Sequence, residues 1–165
     1  MILSNLFSET ELDKIQKTLR ELTYFKMRMN SFGTDCFYLA RIAEWVTKRI
    51  TPEGYKSIQC FARLNTEEHD TSFRIHADSC SLDDSGRVFY PELACVFYPF
   101  NTPGYGTGLF KHPKWGDSCP MGHSFAFTHD DGKWEMYDYC DGIENTSFIY
   151  PANMYHSRVP SKSFG

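Results

Sequence analysis

From residue 55 onward the chain breaks into short apolar runs separated by turn-forming residues, and this punctuation limits the available folds more than any other feature. Such runs occur near 56–64 (KSIQCFARL), 72–78, 93–98 (LACVFY), 107–112, 123–129 (HSFAFTH), 134–139 (WEMYDY), 146–150 and 154–159. Their length and their aromatic and β-branched content read as strands. Asp83-Asp84-Ser85-Gly86, Asn101-Thr102-Pro103-Gly104, Asp130-Asp131-Gly132 and Pro151-Ala152-Asn153 supply turn chemistry between them. Fourteen Phe and 10 Tyr suit packing on pleated surfaces. Strands this short and this numerous bury their apolar faces by closing into an antiparallel sandwich or barrel.

The first 54 residues differ. Ser8 and Glu11 have capping-box spacing, and 9-ETELDKIQKTLREL-22 places Leu12, Ile15, Leu19 and Leu22 on one helical stripe. The segment 24-YFKMRMN-30 alternates like a strand. A second helix is expected over 36–50, with Leu39, Ile42, Ala43, Val46 and Ile50 on one side and Thr51-Pro52-Glu53-Gly54 ending it. The expectation is a single, mainly β domain over 1–165, with a helical start (1–54) and a β core (55–165).

Net charge is −4 with a pI of about 5.8, so a sequence-independent grip on nucleic acid is not expected. The cysteines at 36, 60, 80, 95, 119 and 140 form no C-x-x-C, and no secretory leader is legible. They read as free thiols of a cytoplasmic protein. No stretch approaches the roughly 18 apolar residues of a membrane span.

Chemistry concentrates in 73-FRIHADS-79. Residues i and i+2 of a strand share a face, so His76 and Asp78 present an imidazole and a carboxylate side by side. A third candidate, His156, follows the turn in 150-YPANMYHSRVP-160. Two histidines and one carboxylate form the facial triad of non-haem Fe(II) oxygenases. His123, His129 and Asp131 form a rival set, His112 reads as a surface or outer-contact residue, and His69 as solvated. Cys80 is near Asp78 but is not counted as a ligand. Trp115, Trp134 and Tyr139 read as packing. The glycines of 104-GYGTG-108 precede no helix, so a dinucleotide cradle is excluded and close backbone approach near the metal is expected.

In order along the chain, 5-NLFSETELDKI-15, 61-FARLNTEEHDTSFRIHADS-79, 95-CVFYPFNTPGYGTGLFKHPKWG-116 and 147-SFIYPANMYHSRVP-160 resemble the Fe(II)/2-oxoglutarate-dependent dioxygenases, in particular their prolyl-hydroxylase-like branch. The resemblance implies a double-stranded β-helix (a cupin-like jelly-roll) with two N-terminal helices packed on it. It implies Fe(II) held by His76, Asp78 and His156, with 2-oxoglutarate and O2 as co-substrates. The substrate would be a peptide residue or a small molecule, usually hydroxylated. Tyr98 and Arg158 are the expected co-substrate contacts, and Arg74, Arg63 and Lys162 are further candidates for the basic anchor. In that branch the anchor commonly follows the distal histidine by about nine to twelve residues on a last strand, whereas this sequence ends at Gly165. Either the sequence is a fragment lacking that strand, with an open sheet edge prone to homo-oligomer formation, or another basic residue serves. The alternative class is a cupin-like metal- or ligand-binding β-barrel without oxygenase turnover. A nucleic-acid demethylase of the same chemistry is disfavoured by the acidic balance.

Overall fold

In the computed structural model the residues described are 1–26, 32–33, 44–57, 60, 62–64, 74–82 and 85–159. Ser8 caps the first helix, α1 (Glu9–Glu21), as its spacing requires. Its hydroxyl accepts the Glu11 amide, while the Glu11 carboxylate accepts the Ser8 amide at 2.9 Å. Leu12 and Ile15 of α1 pack with Phe7, Trp45 and Val46, the last two on α2 (Glu44–Ile50). Leu39, Ile42 and Ala43 of the expected second helix lie outside the described residues, as do Cys36, His69 and Lys162.

The rest is mainly β, and every recorded strand pair is antiparallel. Strands β1 (Ile2–Ser4), β8 (Leu93–Tyr98) and β12 (Thr146–Pro151) form one sheet in the order β1-β12-β8. A second sheet takes β5 (Ile75–His76), β9 (Thr102–Lys111), β10 (Ala126–Phe127), β11 (Glu135–Gly142) and β13 (His156–Val159) in the order β10-β5-β13-β9-β11. Two small sheets pair β2 (Phe25–Lys26), β3 (Phe32–Gly33) and β4 (Arg63–Leu64), and β6 (Ser81–Leu82) with β7 (Val88–Phe89). Among the described residues no helix is long and apolar enough to cross a membrane.

Three features depart from the sequence reading. The stretch before Ser8, read without a strand, carries β1. β1 pairs with β12, and Asn145 fixes the chain just beyond it, its Oδ1 accepting the Phe7 amide and its Nδ2 donating to the Phe7 carbonyl. A short apolar start is thereby turned into an edge strand. The expected turn at 101–104 is the beginning of β9 instead. Gly104 adopts φ +83° and donates its amide to the Asp141 carboxylate, so glycine serves an irregular strand end opposite a register shift in β11. The third departure concerns Gly106, whose backbone approaches β11 and not the metal candidates: a Cβ there would run into the Cys140 carbonyl.

The two larger sheets enclose an apolar layer of Leu109, Cys140, Phe148 and Tyr150, joined by Ala94, Val96, Tyr98 and Met154. The opposite face of the five-stranded sheet carries Ile75, Ala77, Phe110, Cys119 and Tyr155, covered by Phe127, Trp134 and Val159. Alternation along β5 and β13 therefore divides their side chains. Ile75 and Ala77 serve the outer layer, while His76, cross-strand from His156, faces inward beside Leu109.

Candidate metal centre

β5 and β13 bring His76 and His156 directly opposite each other, with ring centroids 4.2 Å apart. Asp78 stands just past β5, where its amide donates to the Ala152 carbonyl at 2.7 Å. Its Oδ2 lies 3.5 Å from His76 Nε2 and 3.2 Å from His156 Nε2. One ligand atom from each residue lies within 4.8 Å of the others, and among the described residues this is the one such group. His156 is buried, His76 is mostly covered, and half of the Asp78 side chain reaches solvent, so the group is open on the carboxylate side.

The far nitrogens define the chemistry. His156 Nδ1 donates to the Met154 carbonyl at 2.9 Å, and His76 Nδ1 is directed at the Arg74 carbonyl at 3.4 Å. With Nδ1 protonated, a neutral imidazole turns a bare Nε2 lone pair toward the carboxylate. Two lone pairs and an anion facing one point are satisfied by a proton or by a cation between them. Carbonyl-oriented imidazoles with one carboxylate fit a divalent first-row metal. Burial and the nearby His156 push the His76 imidazole below its ordinary range, which favours the neutral, ligating form. Burial alone would raise the Asp78 carboxyl, but whenever a facing Nε2 carries a proton it donates to the carboxylate, and these hydrogen bonds from His156 and His76 hold Asp78 far below the usual carboxylate range.

Next to the group, Tyr150 sets its ring 4.9 Å from that of His156. Burial pushes the Tyr150 phenol well up. Arg158, two residues beyond His156 on the same inward face, lies cross-strand from Thr107. Thr107 in turn shares a 2.6 Å hydrogen bond with the Tyr98 hydroxyl from the opposite sheet. Thr107, which bonds Tyr98 and is the cross-strand partner of Arg158, is a residue the sequence reading did not single out. Burial and the neighbouring Arg63 lower the Arg158 guanidinium to about 10, leaving it cationic at neutral pH. Burial raises the Tyr98 phenol against the Thr107 hydrogen bond, leaving it a neutral donor or acceptor.

The other candidates are placed elsewhere. His112 is a buried residue, contrary to the surface reading: its Nε2 donates to Asp131 at 3.0 Å, its Nδ1 accepts the Lys114 amide, and its ring lies 4.9 Å from Trp134. Asp131 is therefore engaged by His112, and the rival set with His123 and His129 does not assemble. Trp134 packs between Phe127 and Tyr155, Trp115 lies against Phe127, and the Tyr139 hydroxyl donates to Asp141. Cys60, Cys80, Cys95, Cys119 and Cys140 are free thiols.

Tyr150 and the Met154 carbonyl also escaped the sequence reading. The signal for Tyr150 was its place at the end of the strand before the turn to His156. Main-chain acceptors leave no residue signature at all. Compared with family models, curated proteins and solved structures, the chain finds no match in any of the three.

Proposed function

We propose that this chain is a non-haem Fe(II)/2-oxoglutarate-dependent oxygenase, and that its two larger sheets are the halves of a cupin-like double-stranded β-helix. The observation that carries the reading is the convergence of two imidazole Nε2 atoms and one carboxylate from β5 and β13, each imidazole aimed by a main-chain carbonyl. Bound there, Fe(II) supplies the redox chemistry that couples decarboxylation of 2-oxoglutarate to oxidation of a substrate C–H bond by O2.

The chain's own residues perform the remaining tasks. His76, Asp78 and His156 would hold the ion, and the solvent-exposed side of Asp78 would admit the co-substrates. The Met154 and Arg74 carbonyls hold the tautomer that presents Nε2. Leu109, Phe148 and Tyr150 keep water from the inner side. Arg158, with the Tyr98–Thr107 pair, offers a cation and hydroxyl groups to the far carboxylate of 2-oxoglutarate.

The experiment is direct. Protein supplied with Fe(II), ascorbate and 2-oxoglutarate in air should release succinate, and His76→Ala should abolish the release. Tight binding of one divalent ion without any succinate would instead favour the metal-binding barrel without turnover.

A further inference from the structure

Arg74 immediately precedes β5, two residues before His76, and its carbonyl is the acceptor that orients the His76 ring. Its side chain is unusual in another respect. Among the described residues, Arg74 Nε is the single buried side-chain nitrogen or oxygen without a hydrogen-bond partner. A guanidinium remains charged and carries five N–H donors, so a buried donor left unpaired is costly. Arg63 and Arg158, the other cations near the centre, have interactions of their own.

We propose that Arg74 is the anion contact for the primary substrate, which is a molecule bearing a free carboxylate. The inference rests on the oxygenase reading above. The oxygenase reading gives the far carboxylate of 2-oxoglutarate to Arg158 and the Tyr98–Thr107 pair. Arg74, with its unmade donor two residues from His76, is then left for the second ligand. Nε–H and the adjacent Nη–H form a parallel fork that matches two carboxylate oxygens. Since Nε is sealed from solvent, it gains its partner when the guanidinium turns toward the arriving acceptor, and the unmade bond favours that turn.

The test uses free L-amino acids and their amides as matched probes, added to the intact chain with Fe(II), ascorbate and 2-oxoglutarate. At least one free acid should raise succinate release above the rate without it, and its amide should require about tenfold to a hundredfold more for the same effect. Arg74→Gln should erase this difference and Arg74→Lys should restore part of it, with half-saturation by 2-oxoglutarate unchanged. Calorimetric titration of the same acid and amide into Mn(II)-loaded protein with 2-oxoglutarate, without oxygen, should reproduce the preference as binding alone. Equal responses to acid and amide, no response to any acid, or a weakened 2-oxoglutarate response in Arg74→Gln would each overturn the proposal. The last of these would assign Arg74 to the co-substrate. A wild-type protein that binds metal yet forms no succinate refutes the oxygenase reading before any variant is compared, and the inference falls with it.

Discussion

The β8–β12 ladder and the β5–β13 pair show two ways of using strands. β12 pairs with β8 without a break from Thr146↔Tyr98 to Pro151↔Leu93, and nearly all of β12 is buried. β5 meets β13 at the single pair His156↔His76. The first is a regular scaffold whose side chains interdigitate. In the second, pairing is reduced to the two residues that carry chemistry, and the ring positions are set by main-chain carbonyls. Regular pairing stabilises, and the interruption of pairing leaves side chains free to converge on a ligand.

Four experiments break or sharpen this contrast. Phe148→Ala opens the ladder's core, where Phe148 is 1% exposed, and should cost about 3–5 kcal/mol in denaturant unfolding. A cost below about 1 kcal/mol would show that the layer between the sheets is not the scaffold. His156→Ala should have the opposite profile. It should weaken Mn(II) or Co(II) binding by more than the about 10–100-fold typical of losing a mere outer partner, while unfolding changes much less. Calorimetric titration decides, and undiminished affinity would remove His156 from the centre.

Asn145→Ala tests how the N-terminal segment is clamped beside the ladder. It removes both hydrogen bonds to Phe7 and places alanine at φ +61°, so a loss of about 1–3 kcal/mol is expected, with metal affinity retained. An unchanged denaturation midpoint would mean that the clamp is redundant.

The smallest effect concerns pH. Because the folded His76 binds its proton less readily than an unfolded histidine near pH 6.5, the unfolded state takes up more protons as the solution is acidified. Stability of the metal-free protein should therefore decline below about pH 6.5. Asp78 adds a second decline below its unfolded value of about 3.9, because its folded carboxyl is depressed. In His76→Gln the first decline should shrink, as unfolding midpoints across pH would reveal. A profile identical to wild type would assign the acid sensitivity elsewhere.

Period-two alternation made the pairing of His76 with Asp78 legible, whereas His156 joined them through its place after the Pro151-Ala152-Asn153 turn and the two-histidine, one-carboxylate ligand set. Capping chemistry made α1 legible for the same reason: both signals are local. Strand extent was less accessible. Thr102-Pro103-Gly104 carries turn residues, yet it belongs to β9 because Asp141 on the neighbouring strand accepts the Gly104 amide. β1 was missed because its pairing partner lies some 140 residues away at Thr146–Phe148. His112 looked like a surface histidine beside a lysine and a proline, and only Asp131 across the fold explains its burial. Long-range partners decided each of these cases.

The close approach at Gly106 has a practical meaning for anyone altering this protein. A side chain at that position has to displace the Cys140 carbonyl, which means prising β9 from β11. β9 also carries Thr107, the next residue, which bonds the Tyr98 hydroxyl and lies cross-strand from Arg158. Saturation mutagenesis of codon 106 should thus yield almost a single permitted letter, and its rare survivors would report how far a wedge at the sheet's margin travels before the interior feels it.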